Sequence, residues 1–107
     1  MHAPLVVLGG GPGGYAAAFM AADLGMEVTL VEKDTRLGGT CLLRGCIPSK
    51  ALLASAELMH RIQGANSLGV SVNGTVDFDW PAIQKRKDRV LRKLRGGIKG
   101  LFGARNV

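Results

Sequence analysis

The hydrophobic positions of this chain follow two different rhythms. Leu5-Val6-Val7-Leu8 is a short unbroken apolar run that stops at glycines, which predicts a buried strand of a parallel sheet. Glu27-Val28-Thr29-Leu30-Val31 is a second β-rich run, ending at Glu32. Between them, Tyr15 to Leu24 is rich in alanine and carries Phe19 and Met20. That stretch predicts a helix, with Gly25 where a helix C-terminal glycine belongs. The order predicts a parallel βαβ unit with a right-handed crossover.

Further on, the rhythm becomes helical. Leu52, Leu53, Ala56, Met59 and Ile62 recur at helical spacing, predicting a helix from about Pro48 to Ile62. Ile83, Val90, Leu91, Leu94, Ile98 and Leu101 make one stripe of a last helix. Asp79 is its candidate cap and Pro81 falls in its first turn. Gly96-Gly97 is expected to weaken or bend it. Residues 64–74 read as loop, with one short candidate strand, Gly69-Val70-Ser71-Val72. There is no internal repeat and no low-complexity segment.

Composition narrows the class. Of 107 residues, 47% are hydrophobic and 21% charged, the balance of a soluble chain with a packed core. No apolar run reaches the 18 or so residues that span a bilayer, which argues against a membrane protein. Met1-His2-Ala3-Pro4 lacks the basic region of a secretory signal. Two cysteines without an export signal point to a reducing compartment, the cytoplasm, where a disulfide is more often catalytic than structural. Two strands are too few for a stable doubly wound sheet. The expectation is therefore that residues 1–107 are the N-terminal part of a longer polypeptide, whose further strands complete the sheet.

The net charge of +6 is unevenly spread. Lys85, Arg86, Lys87, Arg89, Arg92, Lys93, Arg95, Lys99 and Arg105 face a single acid, Asp88, after residue 84. Such a stretch fits either a nucleic-acid partner or a solvated helix face. The apolar stripe on the same segment favours the solvated face and argues against nucleic-acid binding.

Gly9-Gly10-Gly11-Pro12-Gly13-Gly14 joins the first strand to the first helix. Gly9, Gly11 and Gly14 fill the G-x-G-x-x-G positions: a tight turn, close approach to a pyrophosphate, and close helix–strand packing. The helix start then offers unpaired N–H groups and positive potential to phosphate. Glu32 ends the second strand, 18 residues after Gly14, placed to accept hydrogen bonds from ribose hydroxyls. An acid there argues against a 2′-phosphate, so FAD or NAD fits and NADP does not.

Cys41 and Cys46 lie in Gly38-Gly39-Thr40-Cys41-Leu42-Leu43-Arg44-Gly45-Cys46-Ile47-Pro48-Ser49-Lys50. In a regular helix their Cα atoms would be about 8.6 Å apart, and a disulfide tolerates only about 4.4–6.8 Å. They can join only if the helix is distorted or begins between them, which Gly45 and Pro48 permit. Buried inert thiols and a structural bridge remain open alternatives. Zinc is disfavoured, since it usually needs four ligands and closer pairs. His2 and His60 offer no fitting spacing and read as surface residues, so no metal site is expected.

G-G-T-C-x-x-x-x-C-I-P-S-K after a nucleotide-binding βαβ unit resembles the disulfide-dependent flavoprotein reductases, class I of the pyridine nucleotide-disulfide oxidoreductases. The resemblance runs over the whole chain. The C-I-P-S-K ending resembles the branch that oxidises dihydrolipoamide with NAD; glutathione reductases more often read C-V-P-K-K. Leu43 and Arg44 stand where that branch usually has Asn and Val, and neither change touches a redox atom.

The resemblance implies a partial FAD-binding, Rossmann-like doubly wound α/β domain: a βαβ unit, a redox-disulfide helix and a second antiparallel helix. It implies a Cys41–Cys46 redox disulfide, with Cys41 the exposed interchange thiol and Cys46 against the flavin. Lys50 would stabilise negative charge on the reduced ring. Gly9, Gly11, Pro12, Gly13, Gly14, Gly39 and Thr40 would hold the pyrophosphate, and Glu32 with Lys33 the adenosine end. NAD would bind on a domain outside this chain. The implied partners are the rest of the polypeptide, a second subunit whose His–Glu pair acts as base, and 2-oxo-acid dehydrogenase complex components. The chain alone is expected to be inactive. Another reductase of the family, of the glutathione or mercuric type, is the nearest alternative.

Overall fold

The computed structural model describes residues 4–107; His2 and the rest of the opening segment lie outside the described residues. The elements are β1 (Leu5–Leu8), α1 (Pro12–Asp23), β2 (Val28–Val31), α2 (Gly39–Leu43), α3 (Cys46–Gln63) and α4 (Trp80–Ala104), with a 3-10 turn at Ala65–Leu68. The two strands pair in parallel, Leu5 opposite Val28 and Leu8 opposite Val31. Hydrogen bonds from Leu5 N to Glu27 O (2.8 Å) and from Gly9 N to Val31 O (2.7 Å) extend the ladder at both ends. Strand–helix–parallel strand is the expected βαβ unit, and with the helices that follow it makes the mixed α/β architecture anticipated for part of a Rossmann-like domain.

α1 begins three residues before the predicted start. Pro12 occupies its first turn, where a missing N–H costs nothing. It ends at the expected place: Gly25 has φ +87° and its N–H bonds to Ala22 O at 3.0 Å. Ala18 and Ala21 are buried against Val28 and the C-terminal Phe102, with Leu5, Val7 and Leu30 packed around them. Small side chains on that face let helix and sheet approach closely. The opposite face of the strands is bare: Val6, Leu8 and Val31 are 60%, 80% and 49% exposed.

α4 returns to this core at its far end. Phe102 meets Phe19 with ring centroids 4.7 Å apart. Arg105 caps the same ring, its Cζ 4.9 Å from the centroid, and pairs with Asp23 at 2.8 Å. α3 and α4 run antiparallel: Arg86 Nη1 donates to Ala51 O at 3.2 Å, while Met59 and His60 share a groove with Trp80. This helical pair extends the molecule to 68 × 26 × 19 Å. α4 runs unbroken through Gly96-Gly97, since the flanking Ile98 and Phe102 are tied into the core. Asp79 caps it as predicted, Oδ1 accepting from Ala82 N at 3.1 Å.

One expectation fails. No strand forms at 69–72 among the described residues. Val70 and Val72 are exposed, and the segment finds no second strand to pair with, without which a ladder does not exist. No helix among the described residues is long and apolar enough to cross a membrane.

Candidate functional site

The turn after β1 is shaped by glycine for steric reasons. Gly9 has φ +101°, a conformation that favours glycine. A Cβ at Gly14 would run into Gly9 O, so only glycine lets α1 start this close to the strand. Gly11 is the N-cap, and Tyr15 N donates to its carbonyl at 2.9 Å. Pro12 has no N–H, and helix geometry leaves those of Gly13 and Gly14 without intrahelical acceptors. These two donors sit at the positive end of the helix macrodipole.

A second loop closes on the first. Gly38 N donates to Gly10 O at 2.9 Å. Gly39 has φ +66°, and a Cβ there would lie 2.6 Å from Gly11 Cα. Glu32 ties the two loops together. One carboxylate oxygen accepts from Gly10 N at 2.5 Å and the other from Asp34 N at 3.0 Å. The backbone N–H groups of Asp34 and Gly10 hold its carboxyl below the usual value. Each carboxylate oxygen retains a further acceptor position. Lys33 is exposed beside it, and Thr40 is exposed on α2.

The cysteines are joined. A Cys41–Cys46 disulfide spans Cα atoms 4.6 Å apart, inside the range that a continuous helix cannot reach. The second of the two geometric solutions is realised: α2 ends at Leu43 and α3 begins at Cys46, with Gly45 as N-cap at φ −123°, ψ −102°. Arg44 N bonds to Thr40 O at 2.9 Å, and Ser49 N to Gly45 O at 3.0 Å, so each helix is closed on its own side of the break.

Cys46 occupies the first turn of an 18-residue helix, where the dipole favours a thiolate. Lys50 stands one turn on, exposed, on the same helix face. Cys46 is exposed, because it projects from a helix start. Cys41 is half-buried, because α2 turns Leu42 and Leu43 inward and carries it along. Cys41 lines an apolar recess of about 340 Å³ with Tyr15, Phe19, Ile47 and Leu94.

Sequence reasoning missed two residues that organise the site. Asp34 accepts from Arg36 N at 3.0 Å in a local turn and pairs with Arg44 at 2.7 Å. The Arg44 guanidinium, with Arg36 N, holds its carboxyl down to about 2. An Asp two residues past the strand is a turn signal; its partner ten positions on leaves no local trace. Gly9, Gly11, Pro12, Gly13, Gly14, Glu32, Gly39 and Thr40 thus gather around one crossing of loops, beside the disulfide. His60 lies apart, exposed at the α3–α4 groove. Among the described residues no three of His, Cys, Asp and Glu cluster as metal ligands.

Comparison with known proteins gives a consistent result. Residues 3–107 match the family described as pyridine nucleotide-disulphide oxidoreductase. The chain is 50% identical over 102 residues to a dihydrolipoyl dehydrogenase of Chlamydia muridarum, covering 95% of this chain and 22% of that protein. It is 48% identical over 105 residues to the mitochondrial dihydrolipoyl dehydrogenase of Caenorhabditis elegans, covering 98% and 21%. It is 50% identical over 98 residues to a dihydrolipoyl dehydrogenase of Bacillus subtilis, covering 92% and 20%. The chain spans about a fifth of the length of these relatives.

Proposed function

Because the chain belongs to the pyridine nucleotide-disulphide oxidoreductase family, we propose that residues 1–107 are the first part of the FAD-binding domain of an enzyme that oxidises dihydrolipoamide to lipoamide with NAD. The carrying observation is a disulfide closed across a helix break, beside two glycine loops packed backbone to backbone. The relatives' names supply the substrate class. On this reading the NAD-binding and subunit-interface domains belong to the rest of the polypeptide. The whole protein works as a cytoplasmic homodimer within a 2-oxo-acid dehydrogenase complex.

The residues present fit a dinucleotide. Around Gly9 and Gly13 an added Cβ would meet nothing within 4 Å, so the loop surface is open to a pyrophosphate. The N–H groups of Gly13 and Gly14, with Gly11, Gly39 and Thr40, would hold it. Glu32 is ionised at neutral pH and would take the adenosine ribose, with Lys33 alongside. When bound, FAD supplies the two-electron chemistry that links a dithiol to a nicotinamide.

The chain's own part is the disulfide exchange. A substrate thiolate attacks Cys41 Sγ, the Cys41–Cys46 bond breaks, and the electron pair leaves on Cys46. The second substrate thiolate then displaces Cys41. The substrate ends as a disulfide and the pair as a dithiol, two electrons having passed. The helix start and Lys50 lower the cost of the Cys46 thiolate, and Cys46 is the better leaving group for that reason.

The test is Cys41→Ser in the full-length protein. Dihydrolipoamide turnover should fall at least a thousandfold while flavin absorbance per subunit stays at the unmodified level. Flavin loss, or turnover that survives, would overturn the assignment. Glutathione disulfide or mercuric ion turned over in preference to lipoamide would move the protein to another branch.

A further inference from the structure

A cleft of about 490 Å³ lies between the segment after β2 and the middle of α4. Thr35 and Arg36 form one wall; Arg92, Arg95, Gly96 and Lys99 form the other. The α4 residues recur at three- and four-residue steps, so they share a single helix face. We propose that this cleft binds a small organic anion carrying two phosphoryl groups, at a site separate from the glycine loops.

Charge is the first argument. Four cations converge on one concave space. The nearest acid, Asp34, lies 3.6 Å from Arg36 and closer still, 2.7 Å, to Arg44. The acid of α4, Asp88, pairs with Lys87. Among the described residues no carboxylate comes within ion-pair distance of Arg92, Arg95 or Lys99. Arg95 is half-buried along the cleft wall, and with Arg92 and Lys99 it leaves three cations on one helix face without a carboxylate partner, a charge excess that an anion relieves.

The chemistry of the lining is the second. Arginine presents paired donors to phosphate oxygens, and lysine a mobile point charge. Thr35 adds a hydroxyl. One phosphoryl group carries at most about two negative charges and cannot match the unpaired Arg92, Arg95 and Lys99, with Arg36, which shares Asp34 with Arg44, beside them; a second group can. The volume falls within the range of small-molecule sites, about 300–1,000 Å³, well beyond the needs of a lone phosphate.

The third is Gly96. Glycine inside a helix costs about 1 kcal/mol relative to alanine. A Cβ at Gly96 would meet nothing within 4 Å, so the position opens onto the cleft. The same lining excludes the other site: it uses α4 side chains and none of Gly9–Gly14, Cys41, Cys46 or Lys50.

The experiment is isothermal titration of the full-length, flavin-saturated protein with pyrophosphate, fructose 1,6-bisphosphate and orthophosphate. The two-phosphoryl probes should bind at least tenfold more tightly than orthophosphate, and binding should weaken steeply with salt. Gly96→Glu places a carboxylate among the cations and should abolish it. Arg92→Gln with Arg95→Gln should weaken it at least tenfold. Both variants should keep the thermal midpoint and flavin content of the parent. Equal binding of orthophosphate, no heat with any probe, or undiminished binding by Gly96→Glu would overturn the proposal. So would flavin loss in the Arg92/Arg95 variant, which would make these cations part of the flavin site. Tighter retention of a single-stranded oligonucleotide than of fructose 1,6-bisphosphate would overturn it in favour of a nucleic-acid surface.

Discussion

Arg44 Nη2 lies 2.7 Å from Asp34 Oδ2, so the residue between the two cysteines is tied to the segment that follows Glu32. Asp34 N in turn donates to Glu32, and Glu32 accepts from Gly10 N. A chain of polar contacts therefore runs from the disulfide break to the glycine loop.

The pair has a pH signature. Asp34 titrates at about 2 in the folded chain, below its ordinary 3.8. A depressed value means that its contribution is complete above about pH 4 and is lost as pH falls through about 2. NMR titration of the Asp34 carboxyl should show a midpoint near 2. In Arg44→Ala the midpoint should rise toward 3.8. An unmoved midpoint would show that Arg36 N and the loop, not Arg44, set it.

Gly13 and Gly14 should respond oppositely to alanine. A Cβ at Gly14 meets Gly9 O, whereas one at Gly13 meets nothing within 4 Å. Gly14→Ala is expected to lose more than about 2 kcal/mol in urea denaturation, through strain between helix and strand. Gly13→Ala should hold or gain, by up to about 1 kcal/mol.

Phe102 is the anchor that brings α4 back to the core. It is 6% exposed and its ring packs at a tilt against Phe19, centroids 4.7 Å apart. Phe102→Ala should cost about 3–5 kcal/mol, read by chemical denaturation. Phe102→Leu should recover much of that loss.

Asp79 Oδ1 accepts from Ala82 N at 3.1 Å, satisfying one orphan donor of a 25-residue helix. Asp79→Ala should cost about 1 kcal/mol. Hydrogen exchange should accelerate at the Ala82 amide and leave the Ile98 region unchanged.

What could be read from the sequence was whatever depends on neighbours in the chain. The apolar run Leu5–Leu8, the Gly25 stop and the Asp79 cap are local signals, and each appears in the structure. The five-residue step from Cys41 to Cys46 also carried its own geometry, because a straight helix forbids the bond. The remainder depends on distant partners. Gly69–Val72 has the residues of a strand and no second strand. α2 is a single short turn, held by Gly38 N on Gly10 O and by Leu42 and Leu43 packing inward. The Asp34–Arg44 link joins loops that only the folded crossing brings together. Arg44 stands in a position usually filled by valine in the branch it resembles, so no pattern pointed to it.

The bare face of the two-stranded sheet has a consequence for handling the chain. Val6, Leu8 and Val31 all point to water, on strands whose composition suits burial on both sides. Any association that covers them binds the folded form alone, and so stabilises it by mass action. Self-association of the isolated chain through this face would register as a melting temperature that rises on concentration and falls on dilution. A value measured at one dilution would then describe the sample as much as the sequence.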